Sequence, residues 1–105
     1  MIPVQERRTA PRVRANLKAR WEGLLADGDA TVSDISTTGC FVLTGGTVKT
    51  GELIRLEIHC PSGELLVQWG EVAYPTLEIG FAVRFSYGKD DERLTLAGLL
   101  DALPR

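Results

Sequence analysis

Two short motifs in the first forty residues carry side chains whose chemistry suits the recognition of anions and nucleobases. The first motif is R-x-x-x-R, formed by Arg8 and Arg12 and preceded directly by Arg7. A guanidinium group is always charged and presents a planar fork of donors, so it fits phosphate oxygens and the O6/N7 edge of guanine. The spacing therefore predicts anion-binding arginines near the start of the chain.

The second motif is D-x-S-x-x-G, formed by Asp34, Ser36 and Gly39. The aspartate carboxylate accepts hydrogen bonds from groups such as the N1–H and the N2 amino group of guanine, and the serine adds a hydroxyl. The glycine lets the backbone turn tightly and come close to a ligand. Each motif alone is a weak signal, because basic tails and polar turns often contain the same residues.

The charge of the chain is divided unevenly around these motifs. The 105 residues carry a formal net charge of −2. Residues 1–20 hold six basic side chains and one acidic side chain, whereas the remaining residues hold six basic and thirteen acidic side chains. A basic start on an acidic body favours a local anionic ligand over a nucleic-acid polymer, which usually binds to a basic domain. A solvated, flexible basic tail is the alternative interpretation.

Alternating apolar and polar residues predict an all-β fold. Six short strands, separated by turn residues, are expected at 13–22, 30–35, 39–43, 54–60, 65–74 and 79–86. The Asp-Gly-Asp run at 27–29 is interpreted as a turn, and Gly70 as a bulge within the fifth strand. Six short strands of this kind are typical of a small antiparallel barrel or sandwich.

The last segment changes to a helical period. Four leucines lie at helical spacing and predict one apolar stripe: Leu96, Leu99, Leu100 and Leu103. Acidic residues at 90–92 precede the stripe, where the positive end of a helix dipole favours them. We therefore expect one C-terminal helix that packs its stripe on the barrel or on a partner.

The order, separation and position of the two motifs resemble those of the PilZ domain, a bacterial receptor module for cyclic di-GMP. The resemblance covers nearly the whole chain and includes residues 79–85, which are similar to the family's final strand. It implies a single domain over 1–105, built as a six-stranded antiparallel β-barrel of split-barrel-like shape with a C-terminal α-helix. The expected division is a flexible basic arm at 1–12, the barrel at 13–88 and the helix at 89–105.

The resemblance also assigns roles to the motif residues. Arg8 and Arg12 become a clamp on phosphate and on the Hoogsteen edge of guanine, and Arg7 is an additional candidate because it is adjacent. Asp34 and Ser36 would read the Watson–Crick and amino edges of guanine. The expected ligand is therefore cyclic di-GMP, which carries two phosphates and two guanines.

Gly39 and Trp69 complete the set of candidate ligand-binding residues. Gly39 would keep the floor of the site free of a side chain. Trp69 has two interpretations: it stacks on a guanine, as aromatic rings often do with bases, or it packs in the core, because it alternates with Leu65 and Val67. The core position is favoured. Trp21 follows the apolar phase of the first strand and is predicted to be buried.

Catalysis, metal binding and membrane insertion find no support in the sequence. No nucleophile elbow, P-loop or dinucleotide fingerprint occurs, and Cys40, His59 and Cys60 fit no zinc spacing. No apolar run approaches the roughly 20 residues that span a bilayer, and arginines interrupt any signal peptide. We therefore expect a cytoplasmic protein without a cofactor, in which both cysteines are small, buried, apolar residues in a reducing environment.

The expected function is that of a non-enzymatic receptor for cyclic di-GMP that orders its N-terminal arm on binding and signals to an unidentified downstream protein. Two alternatives stay open. One is a PilZ-like adapter that does not bind the nucleotide. The other is a barrel for single-stranded nucleic acid, which would need exposed aromatic residues interleaved with basic ones. The strand aromatics mostly follow the inward phase, which disfavours this second alternative.

Overall fold

The computed structural model describes residues 12–76, 79–86 and 90–103, which form six strands and one helix. The elements are β1 (Val13–Glu22), β2 (Asp27–Ile35), β3 (Gly39–Leu43), β4 (Leu53–His59), β5 (Leu65–Thr76), β6 (Gly80–Phe85) and α1 (Asp90–Ala102). All paired strands are antiparallel, and the order β1-β2-β3-β6-β5-β4 closes because β4 pairs with β1. This confirms the predicted barrel with a C-terminal helix. The basic arm, apart from Arg12, lies outside the described residues.

β1 shows how the alternating sequence forms a wall of the barrel. Buried and exposed residues alternate along most of its length, as predicted. Trp21 is fully buried; its indole N–H donates to Thr44 Oγ1 at 3.0 Å, and its ring meets Phe81 edge to face with 5.2 Å between the centroids. Gly46 lies against the ring, since a Cβ there would overlap it. The predicted core position of Trp21 is confirmed.

The turn between β1 and β2 differs from the prediction. Residues 27–29 belong to β2, and Leu24 and Leu25 form the tip of the connection. Both aspartates of the run face Arg20 on β1, at 3.0 and 3.6 Å. The Asp-Gly-Asp run therefore pairs charges across two strands, and its turn-like composition concealed this role.

The inward phase of β5 is the reverse of the predicted one. Leu66, Gln68 and Val72 are buried, whereas Trp69 points outward and is 43% exposed. The predicted core position of Trp69 is therefore wrong. A glutamine and a glycine occupy the inward phase, so the sequence pattern favoured the other face, and a shift of one residue exchanges the two faces of a strand.

Gly70 serves close packing between two strands, not a bulge. It pairs regularly with Phe85 on β6, and the irregularity in that pairing falls between Val72 and Tyr74. A Cβ at Gly70 would overlap the carbonyl oxygen of Arg84. The glycine therefore lets β5 and β6 approach each other, which a larger residue would prevent.

α1 covers one end of the barrel with its leucine stripe. All four leucines are buried, as predicted: Leu96, Leu99, Leu100 and Leu103. They join the barrel core, and the helix packs against β5. Near the end of the helix, Leu99 lies beside Cys60 and Pro61 of the β4–β5 turn. Because the strands are antiparallel, this is also the end at which β1 begins and β2 ends.

Candidate ligand-binding site

The two sequence motifs meet where β1 begins and β2 ends. Arg12 lies directly before β1, and Asp34 is the penultimate residue of β2. Antiparallel pairing sets Val13 opposite Ile35, which brings the two motif residues together across 22 positions of sequence. Arg12 Nη1 donates to Asp34 Oδ1 at 3.0 Å, and the side chains are 39% and 30% exposed. The ion pair is therefore accessible from solvent.

Arg14 adds a positive charge beside this ion pair. It is exposed on the outer face of β1, and its partner across the ladder to β2 is Asp34. Sequence reasoning missed Arg14 because it lies outside the R-x-x-x-R motif; its place in the polar phase of the first strand was the available signal. Arg7 and Arg8 lie outside the described residues, so Arg12 is the described part of the predicted clamp.

Ser36 holds the turn that follows Asp34. Its side chain is buried, with 3% of the residue exposed. The hydroxyl accepts the Thr38 N–H at 3.1 Å, donates to the Gly39 carbonyl at 3.4 Å and lies 3.1 Å from Thr38 Oγ1. The Ser36 N–H also donates to the Gly39 carbonyl, at 2.8 Å. The serine thus fixes the 36–39 turn, and its predicted contact with guanine stays a prediction.

Gly39 opens β3 at a point of close contact with β6. It pairs with Arg84, and a Cβ at this position would overlap the carbonyl oxygen of Val83. The structure therefore gives Gly39 a packing role that sequence reasoning missed, because the neighbour comes from a distant strand. Its predicted role as the floor of a ligand site stays a prediction beside this one.

Cys40 lies in the core, opposite Ile35, and feels the charges of both members of the ion pair. Burial raises the pKa of its thiol far above the ordinary value, the Asp34 carboxylate raises that pKa further, and the Arg12 guanidinium lowers it. Both cysteines of the chain are free thiols, and Cys40 is buried as expected. Cys60 was also expected to be buried, but it is only partly buried beside the core; this burial raises the pKa of its thiol as well.

Trp69 is not brought to the Arg12–Asp34 pair by its strand. In the closed order of six strands, β5 lies opposite β2, and the Trp69 side chain points away from the core. Trp69 pairs with Arg55 on β4, and the Trp69 carbonyl accepts the Ser86 N–H at 2.8 Å. The predicted contact of Trp69 with the ligand remains untested and concerns the other wall of the barrel.

The remaining chemistry of the described residues is sparse. Among residues 12–76, 79–86 and 90–103, no three histidine, cysteine or acidic side chains come together in a way that would hold a metal ion. No helix in the same part of the chain is long and apolar enough to cross a membrane.

Comparisons with known proteins agree with this architecture. The sequence profile of the PilZ domain family matches residues 6–102. The chain is similar to the Bacillus subtilis inhibitor of motility MotI/DgrA, with a TM-score of 0.74 and 20% identity over 96% of this chain and 55% of that chain. It is also similar to the PilZ domain of CeSA from a cellulose-synthesizing bacterium, with a TM-score of 0.71 and 12% identity over 87% of this chain and 95% of that chain.

At these identities the two solved structures support the fold alone. The chain spans about half the length of MotI/DgrA, at 55% of that protein. No curated protein matches the chain at a significant level.

Proposed function

Because this chain belongs to the PilZ domain family, we propose that it is a receptor for cyclic di-GMP and that the ligand binds at the Arg12–Asp34 pair. One observation carries the proposal. The second arginine of one motif and the aspartate of the other are 22 positions apart, yet they are in contact at 3.0 Å on an accessible surface. A single ligand at this place would reach both motifs.

Binding would exchange the internal ion pair for contacts with the nucleotide. The Arg12 guanidinium would donate hydrogen bonds to a phosphate or to the O6/N7 edge of guanine. The Asp34 carboxylate would accept hydrogen bonds from the N1–H and the N2 amino group of guanine. An exposed ion pair contributes roughly 0–1 kcal/mol, whereas a hydrogen bond to a charged group contributes about 1.5–3 kcal/mol. The exchange therefore favours the complex.

The other motif residues have supporting roles in this proposal. Arg7 and Arg8 would bring further guanidinium groups from the arm, and Arg14 adds one from β1, so that several positive charges face the two phosphates. Ser36 and Gly39 support the site structurally. Ser36 fixes the 36–39 turn and Gly39 permits the β3–β6 contact, and both hold the end of β2 in place.

We further propose that the bound ligand orders residues 1–12 against the barrel. Phosphate groups would supply the counter-charge that the basic arm needs, and contacts from both arm and barrel would then fix its position. A downstream protein would read the changed surface. The role is that of an adapter in the cytoplasm, which acts by a shift of population and not by catalysis.

A second candidate function follows from the structural roles of Ser36 and Gly39. The serine hydroxyl is buried in the 36–39 turn and the glycine packs on β6, so both residues would be retained by an adapter that needs the fold but does not bind the nucleotide. Such an adapter would also retain the Arg12–Asp34 pair as an ordinary surface ion pair.

Isothermal titration of the whole chain with cyclic di-GMP separates these two functions. GTP and GMP serve as controls, because they present the same guanine and phosphate chemistry on one nucleotide. The receptor predicts saturable heat with cyclic di-GMP and an affinity at least about tenfold weaker for GTP and GMP. No heat from a chain that still melts cooperatively would establish the adapter, and equal affinities would contradict selective recognition.

A further inference from the structure

The end of the barrel opposite to the Arg12–Asp34 pair has an apolar rim. Five large apolar side chains at the strand ends on this side are exposed: Leu24 (75%), Leu25 (89%), Leu43 (37%), Leu53 (50%) and Ile79 (52%). We call these residues the apolar end. Two hydrogen bonds join neighbouring segments of this end: the Thr44 N–H donates to the Ile79 carbonyl at 3.0 Å, and the Leu24 N–H donates to Glu52 Oε2 at 2.9 Å. Clustered exposed apolar residues of this kind mark interaction surfaces.

The two leucines at the tip are held out from the barrel by a specific contact. Glu52 accepts the Leu24 N–H through one carboxylate oxygen and the Lys49 N–H through the other, at 2.9 and 3.1 Å. Gly23 closes the turn by donating its N–H to the Ala26 carbonyl at 2.8 Å. A Cβ on Gly23 would overlap the Glu52 carboxylate. The tip is therefore built as a fixed projection.

Folding gives no reason for leucine at these two positions. With 75% and 89% of Leu24 and Leu25 exposed, burial on folding returns little of their transfer free energy. Polar residues and glycine usually occupy the tips of such connections. Two adjacent leucines on a rigid tip are suited to a partner that buries them.

The charges around the tip limit which partner fits. Three carboxylates beside it are largely exposed, with side-chain exposures of 54% for Glu22, 58% for Asp27 and 94% for Asp29. Arg20 pairs with both aspartates, and Arg55 pairs with Glu22 and Glu57. Glu52 adds a fifth acid, and the exposed Lys18 and Lys49 bring the basic side chains to four. The acidic groups therefore exceed the basic ones by one. An anionic lipid surface would be repelled, and a second copy would bring the same acids face to face.

We propose that the apolar end docks into another protein, at an apolar cleft bordered by lysine or arginine side chains. Leu24 and Leu25 fill the cleft, and the acids of β1 and β2 meet the basic border. This inference goes beyond the proposed function, because it assigns a second docking surface, at the end of the barrel away from the nucleotide and separate from the surface that the ligand would change.

The test uses the whole chain, the variant L24S/L25S and the control Leu65→Ser. Leu65 is a comparable exposed leucine, 49% exposed, at the opposite end of the barrel. Each chain is used to retain proteins from a native cell extract. We then purify the proteins that bind to the wild type and to the control but not to L24S/L25S. Their direct affinities for all three chains are then measured at about 50 mM and about 300 mM NaCl.

The proposal expects a dissociation constant at least about tenfold larger for L24S/L25S, no change for Leu65→Ser, and weaker binding at the higher salt. Cross-links from the tip should fall beside lysine or arginine on the partner. The proposal would be overturned if no protein bound in a tip-dependent way, or if the affinity of a tip-dependent protein did not change with salt. Tip-dependent self-association in sedimentation would also overturn it, as would tip-dependent binding to vesicles of phosphatidylcholine and phosphatidylglycerol.

Two controls keep the outcome decisive. L24S/L25S should melt at the wild-type temperature; if it does not, Leu25→Asn alone replaces it, because Leu25 is the more exposed of the two at 89%. Titration of L24S/L25S with cyclic di-GMP should match the wild type. Loss of docking with intact nucleotide binding then separates this inference from the proposed function.

Discussion

Arg12 and Arg20 stand at opposite ends of the same strand, and each holds an aspartate of β2 at 3.0 Å. Distance and partner type are the same in both ion pairs. Their surroundings differ: Arg14 lies beside the first pair, and the arm that precedes it is basic. Beside the second pair stand Asp29, at 3.6 Å from Arg20, and an apolar tip.

In our proposals, the net charge around each ion pair decides what that end of the strand binds. At the beginning of β1 the surplus is positive, which favours an anionic ligand; at its end the surplus is negative, which favours a basic partner. Four predictions test this difference, in order of decreasing effect.

The largest expected effect is the loss of nucleotide binding in Arg12→Ala. Removal of one hydrogen bond to a charged group costs about 1.5–3 kcal/mol, which corresponds to a roughly tenfold to hundredfold weaker affinity. Arg20→Ala is the matched control, since it breaks the same kind of exposed pair, and it should bind as the wild type does. Calorimetric titration of both variants measures the effect. Equal losses in the two variants would remove the distinction between the ends.

Asp34→Ala should mainly weaken nucleotide binding, whereas Ser36→Ala should mainly lower the stability of the fold. Asp34→Ala removes the acceptor for guanine donors, so it should weaken binding more than Ser36→Ala does, with little change in melting. Ser36→Ala breaks the buried hydrogen bonds of the 36–39 turn and should lose about 1–2 kcal/mol of stability. Titration and urea unfolding of both variants give the two readings. An Asp34→Ala protein that binds normally and melts earlier would make Asp34 a structural residue.

The buried Cys40 thiol predicts a dependence of stability on pH. Its pKa is raised above the ordinary value of 9.0, mainly by burial. Below that value the thiol is protonated in both states, so its contribution is fully present. Above it the unfolded chain releases the proton that the folded chain keeps, and stability should fall by about 1.4 kcal/mol for each pH unit. Urea unfolding between about pH 8 and pH 10 should show a shallower decline in Cys40→Ala; parallel declines would contradict the burial of this thiol.

The smallest expected effect is the coupling within each ion pair of the free protein. Double-mutant cycles on Arg12–Asp34 and Arg20–Asp27 should both give about 0–1 kcal/mol in chemical unfolding, and added salt should reduce both values. The two pairs would then be alike energetically and differ only in what they bind. A coupling several times larger for Arg12–Asp34 would make this pair a structural clasp that resists ligand exchange.

The sequence pattern was sufficient to predict the buried face of an element where the apolar residues of that element alone mark it. The alternation in β1 predicted the buried Trp21, and the leucine stripe predicted the face by which α1 packs. The pattern failed to predict burial and strand bounds where these depend on pairing with a neighbouring strand. Trp69 faces outward because the register of β5 buries Gln68. Residues 27–29 extend β2, where they pair with residues 20–22 of β1.

The candidate site was predictable in its parts but not in its arrangement. The motifs indicated Arg12 and Asp34 as ligand residues, and pairing between β1 and β2 was needed to show that they touch. The burial of Ser36 and the contact of Gly39 with β6 depend on neighbours distant in sequence. The apolar tip was concealed because leucines are rarely interpreted as turn residues.

Hydrogen exchange with and without cyclic di-GMP tests the central claim most directly, because it reads both ends of the barrel in one experiment. The account predicts slower amide exchange on ligand addition in peptides that cover residues 7–13 and 34–39, and unchanged exchange at the 23–26 tip. Equal protection at both ends, or protection at the tip alone, would contradict it. An arm that is already protected without ligand would show a preformed site and would contradict the proposed ordering of residues 1–12.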